Sequence, residues 1–106
     1  MAFRGVNFVH AWANVNTTGG QDIRDSYNIS SINDQGLGLT KFNFSTNAND
    51  INYTFSSMSG NDGTTTAHRV QMNDAAVTTS GFRLRSRARD GVRDDAVLTV
   101  ICVADN

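Results

Sequence analysis

Glutamate and proline are absent from this chain, and Lys41 is its only lysine. Glutamate and lysine are the common fillers of helix surfaces, so their scarcity removes the material of exposed helices. Cys102 is the only cysteine, which excludes a disulfide within the chain. No apolar run approaches the ~20 residues of a membrane-spanning helix. Met1-Ala2-Phe3-Arg4 opens without the long apolar stretch and cleavage site of a signal peptide. The expectation is a protein made and used without secretion, with no membrane insertion. Charge imbalance is missing as well. The net charge is −1, so no global field draws the chain toward nucleic acid or an anionic membrane.

What is abundant is asparagine, aspartate, serine, glycine and threonine. The first four favour turns, because their side chains imitate backbone partners or tolerate positive φ. Threonine is at home on strands. Many short strands joined by tight turns follow. At 106 residues the chain makes one domain spanning 1–106. A domain of this size buries only about two-thirds of its unfolded surface, so partners that cover more of it are expected.

Alternation places the strands. Gly5 to Val15 carries Val6, Phe8, His10, Trp12 and Asn14 on one face and Asn7, Val9, Ala11, Ala13 and Val15 on the other. Both faces are partly apolar, which predicts a strand covered on both sides. Gln21 to Ile32 keeps Ile23, Tyr27 and Ile29 in one phase that Ile32 breaks, so a bulge or bend is expected near Ser30-Ser31. Across the turn Asn33 to Gly38, Leu39 to Ser45 sets Phe42 and Phe44 against Lys41 and Asn43, and the two runs should form a hairpin. Ile51 to Ser57 aligns Ile51, Tyr53 and Phe55, Met58 to Thr66 reads as a long exposed loop, and Ala67 to Met72 as a short strand. A further short piece is expected at Ala76 to Thr79. Gly81 to Arg89 alternates strictly, and Ala96 to Ala104 is apolar on both faces, hence central or at an interface. The total is about seven or eight strands, the number of an antiparallel β-sandwich.

The run Ala11-Trp12-Ala13-Asn14-Val15-Asn16 leads through Thr18-Gly19-Gly20 to Ile23-Arg24-Asp25-Ser26-Tyr27-Asn28-Ile29-Ser30-Ser31-Ile32. It continues as Asn33-Asp34-Gln35-Gly36-Leu37-Gly38, then Phe42-Asn43-Phe44-Ser45-Thr46 and Asn52-Tyr53. This stretch resembles a small domain found in many tailed-bacteriophage virion proteins, often at the C-terminal end of tail-fibre-like chains. Ile23 to Gly38 is its most specific part. The resemblance implies a structural, oligomeric virion protein, a trimer by analogy with fibre tips. No fibre shaft accompanies the motif here, so a tip, knob, adaptor or capsid decoration is as consistent as a fibre.

Several residues invite a role. Arg83, Arg85, Arg87 and Arg89 project from one face of a strand about 7 Å apart. They can grip phosphate, an acidic lipopolysaccharide or a neighbouring acidic subunit. They can equally pair with Asp22, Asp25, Asp90, Asp94 and Asp95. Nucleic acid is the weaker ligand, since no aromatic side chains interleave the stripe. Arg24 and Asp25 are read as a salt bridge or as anchors of nearby backbone. Trp12, the only tryptophan, is expected as a core or interface anchor, with sugar stacking as the sharper alternative. Tyr27 and Tyr53 read mainly as core with wet hydroxyls, and Cys102 as a buried thiol. His10 and His68 lack the spacing of a zinc site, and no cofactor is implied. The Asn-x-Ser/Thr sequons at Asn16, Asn28, Asn43 and Asn52 follow from composition.

No nucleophile elbow, metalloprotease helix or phosphate-binding glycine loop occurs, so the expectation is not an enzyme. The leading reading is a virion component, assembled in the host bacterial cytoplasm. It buries apolar strand faces against copies of itself and a neighbouring virion protein. Trp12, Phe42, Phe44, Phe55 and the strand Ala96 to Val103 would supply core and contact. Alternatives are a tip that binds a host surface glycan through exposed loops, and an acidic-ligand module built on the arginines.

Overall fold

A computed structural model describes residues 7–18, 22–60, 68–72, 76–88 and 97–105. Among them are eight strands: β1 (Asn7–Asn16), β2 (Asp22–Tyr27), β3 (Ile29–Gly36), β4 (Leu39–Phe44), β5 (Thr54–Gly60), β6 (His68–Met72), β7 (Gly81–Ala88) and β8 (Val97–Asp105). They form two four-stranded sheets, ordered β2-β1-β8-β5 and β3-β4-β7-β6. All the pairings are antiparallel. The chain is thus all-β, as its helix-poor, turn-rich composition predicts. The pairing is nested, β1 with β8 in one sheet and β4 with β7 in the other. The continuous apolar run of β8 lies between β1 and β5, the central place its two apolar faces imply.

The inner faces of the two sheets meet in one core. Ala11, Ala13, Val15, Leu98, Val100 and Cys102 come from the first sheet, and Ile29, Phe42, Phe44, Phe82 and Leu84 from the second. Aromatic rings stitch the layers together. Phe55 of β5 stacks on Phe82 of β7 with centroids 4.6 Å apart, and His10 of β1 meets Phe44 of β4 edge-on at 4.7 Å. Phe82 also stacks on Phe42, its cross-strand neighbour. Beside that pair stands Gly81, where a Cβ would collide with the carbonyl oxygen of Phe42. Two packed sheets of this kind are compatible with the expected sandwich.

Bulges change which side chains face the core. A register shift between Val9 and Ala11 lets both His10 and Ala11 turn inward. Val9 and Trp12 are left outside, 44% and 36% exposed. Simple alternation pairs Val9 with Ala11 and His10 with Trp12, so the bulge overturns that assignment. In β2 a second shift falls at Arg24, between the pairs Asn14↔Asp25 and Val15↔Ile23. Ile23 therefore packs against the core while Tyr27 points out, 54% exposed. The expectation of a core Tyr27 is corrected on this account. Tyr53 does lie in the core, its hydroxyl donating to the carbonyls of Thr78 and Gly81 at 2.8 Å each.

The run read as one strand from Gln21 to Ile32 is two, and they belong to different sheets. Asn28, at φ 57°, makes the crossing. Asparagine tolerates this left-handed conformation better than other residues with a Cβ. The irregularity expected near Ser30-Ser31 is also present, as a register shift between Ile29 and Ser31. β3 and β4 form the expected hairpin, but strand pairing runs on to Gly36 and leaves Leu37-Gly38 as the turn. Ile51 departs from its expected place: it precedes β5 and is 56% exposed. Met58 begins the loop expected to reach Thr66, yet residues 58–60 extend β5, and 61–67 lie outside the described residues. At 76–79 the described structure is a single bridge, Thr78↔Gly81.

Candidate functional site

The outer faces of the two sheets differ in chemistry. On the β2-β1-β8-β5 sheet, ladder partners line up as Tyr27, Trp12, Ile101 and Ser56 in one row. The adjoining row is Val9, Val103 and Thr54. Met58 flanks them from β5, 71% exposed. These side chains together form an exposed apolar patch, the kind of surface that marks an interaction site. A shallow groove of about 400 Å³ crosses the face, lined by Trp12, Asn14, Met58 and Ile101 among others. The Oδ1 of Asn14 is buried there without a hydrogen-bond partner. The described residues leave the outer side of strand β1 open.

The outer face of the β3-β4-β7-β6 sheet is polar and basic. Arg83, Arg85 and Arg87 leave β7 on one side and are each half-buried. Lys41 stands directly opposite Arg83 in the ladder, a like-charge pairing. Arg83 donates to Gln35 Oε1 at 3.3 Å. Leu39, opposite Arg85, is 6% exposed although it lies outside the core cluster. An arginine lays its aliphatic stem along such a surface and holds its charged head outward. The Nε of Arg85 is itself buried with no partner. Asp22 and Asp25, named as possible counter-charges, belong to β2 of the other sheet. Arg89, Asp90, Asp94 and Asp95 lie outside the described residues.

The Arg24-Asp25 pair divides. Asp25 anchors backbone, its Oδ1 accepting from the N–H of Ser26 at 2.9 Å. Arg24 occupies the β2 bulge, exposed to solvent. Sequence reading singled out both and passed over their neighbour Asn28, whose side chain makes several bonds at once. Its Nδ2 donates to the carbonyls of His10 and Thr46 at 3.0 and 3.1 Å and sits 3.2 Å from His10 Nε2. Its Oδ1 accepts from Thr46 N at 2.7 Å, and its carbonyl accepts from Ser45 N at 3.0 Å. The strand crossing, the β1 bulge and the start of the 45–49 segment are thus tied at one residue.

Beside this knot opens a depression of about 770 Å³, walled by Tyr27, Asn28, His10, Thr46, Asn47 and Asn49 among others. Burial pushes the Cys102 thiol up to about 12. It likewise lifts the Tyr53 hydroxyl to about 12, with Cys102 nearby adding to the shift. Neither group ionises near neutrality, so neither is poised as a nucleophile. No family model, curated protein or solved structure matches this chain.

Proposed function

We propose that this protein is a bacteriophage virion structural subunit, a β-sandwich that assembles as a homotrimer through the outer face of its β2-β1-β8-β5 sheet and docks on a neighbouring virion protein. The observation that carries this reading is the open row of Trp12 and Ile101 with Val103 and Met58 beside it, Tyr27 and Val9 standing at the rim of the contact. A tryptophan at the centre of an apolar patch is the usual anchor of a protein interface. The rows formed by Trp12, Ile101, Val9 and Val103 contain no Asp, Lys, Arg or His. A second copy can cover them without burying an unpaired charge, with Asp25, which shares the next row with Asn14, Thr99 and Met58, left at the rim. Four strands measure about 19 Å across the ladder. Along the 9 residues of β8 the face runs about 30 Å, so the sheet offers roughly 570 Å² in projection and the flanking segments supply the rest of the ~800 Å² per partner of a standard interface. The resemblance of Trp12 to Tyr53 to phage virion domains supplies the setting.

Light scattering on the purified chain is the direct test. The expected mass is three times the 11.5 kDa of one chain. Trp12→Lys should reduce it to one chain while the melting temperature of the monomer stays close to that of the parent at dilution. A wild-type chain that remains monomeric at tens of micromolar defeats the reading. Its position in a particle would be read by cryo-electron microscopy of the virion.

A further inference from the structure

We infer that the depression beside Asn28 is a binding site for a neutral sugar. Its volume, about 770 Å³, falls within the ~300–1,000 Å³ usual for small-molecule sites. What lines it decides the class of ligand. Amides, hydroxyls, an imidazole and the apolar side chain of Val9 surround the opening, and no carboxylate, guanidinium or ammonium group is among its lining residues. An anionic or cationic ligand would find no counter-charge there, whereas hydroxyl groups that both donate and accept match amides that do the same. Tyr27 adds an aromatic ring that is 54% exposed. A ring of this kind packs on the carbon-bound hydrogens of a pyranose and keeps its hydroxyl in water.

The walls are held in place before any ligand arrives. Asn28 spends both ends of its amide on His10 and Thr46. Downstream, Ala48 is buried and its N–H donates to Thr79 O at 2.9 Å. The 45–49 segment is therefore clamped at both ends and holds Asn47 outward. Asn47 is exposed, with no hydrogen bond from its amide among the described residues. Fixed walls lower the ordering cost of binding. Tyr27 stands on the edge strand β2, at the rim of the apolar face, so the site does not need the self-contact surface to be vacant at its centre.

The test is a titration of the isotope-labelled full chain with a panel of neutral monosaccharides and their methyl glycosides, followed by backbone amide NMR. Sialic acid serves as the charged control. Saturable shifts confined to residues 27–28 and 45–49 are expected from at least one neutral sugar and not from sialic acid. Tyr27→Ala should weaken that binding about tenfold or more, and Asn47→Ala about threefold, with the spectrum otherwise intact. Tyr27→Phe should retain most of it, because the ring remains. The inference is overturned if the whole neutral panel gives no saturable shift, if Tyr27→Ala binds like the parent, or if sialic acid binds best. The mass of the chain is read separately, so loss of sugar binding and loss of self-assembly are distinct results.

Discussion

The two outer faces of this domain are built by the same alternation and end in opposite chemistry. On the β7 side the outward residues are Arg83, Arg85 and Arg87, half-buried by their own length. On the β8 side they are Thr99, Ile101 and Val103, and all three are exposed. A long cationic side chain can lie down over its neighbours, as Leu39 beneath the stripe attests. A β-branched one cannot, so its apolar surface stays open until something else covers it. Among the described residues the basic face is partly covered by its own side chains, and the apolar face is left open.

The contrast can be broken at its root. Phe82 is fully buried and stacks on Phe55 across the layers. Phe82→Ala should cost ~3–5 kcal/mol and remove both faces together, as read by urea denaturation. Asn28→Ala acts on the crossing that puts β2 and β3 in different sheets. It loses the side-chain hydrogen bonds to His10 and Thr46 and places a strained φ of 57° on a residue that resists it. The expected loss is ~2–4 kcal/mol. Asn28→Gly, which keeps the conformation and loses only the bonds, should cost about half of that.

Alkali tests the interior that the two faces share. Cys102 and Tyr53 have folded values raised above their ordinary ones, to about 12 each. Their neutral forms are favoured in the folded state, so the stability they contribute is whole at neutral pH. It is lost as pH rises from about 9, where the unfolded thiol begins to ionise, through about 12. Melting temperature against pH should be flat from 6 to 8 and fall steeply in that alkaline window. The smallest effect is expected on the basic face. Arg85→Met retains an aliphatic cover for Leu39 and removes a buried N–H that has no partner. Melting temperature should hold or rise, within ~1 kcal/mol of stability. A clear fall would mean that Arg85 holds a structural charge pair, and the two faces would then differ less than they look.

Much of the candidate surface was hidden from sequence by two inserted residues. Strict alternation put Val9 with the core residues and Tyr27 in the interior. The bulges at His10 and Arg24 reverse both, and nothing local in Val9-His10-Ala11 or Ile23-Arg24-Asp25 announces them. The strongest motif, Ile23 to Gly38, proved to be instructions for the backbone. Asn28, Gly36 and Gly38 are its positive-φ positions. Asn43 binds Ser31 and Asn33 across the hairpin, and Asn16 caps its own turn at Thr18. Much of the described asparagine serves turns and crossings, while Asn47 and Asn49 stand with Asn28 at the walls of an opening.

Composition and period by themselves determined an all-β chain, the β3–β4 hairpin, the inward Phe42 and Phe44, the arginine face of β7 and the central place of β8. These follow from side-chain alternation and local backbone preference, which act over a few residues. Tertiary structure alone decided which sheet each strand joined, which face of β1 stayed open and where Tyr27 and Asn47 came to flank one depression. Those outcomes depend on register between strands far apart in the chain, and one inserted residue exchanges the inside of a strand for its outside.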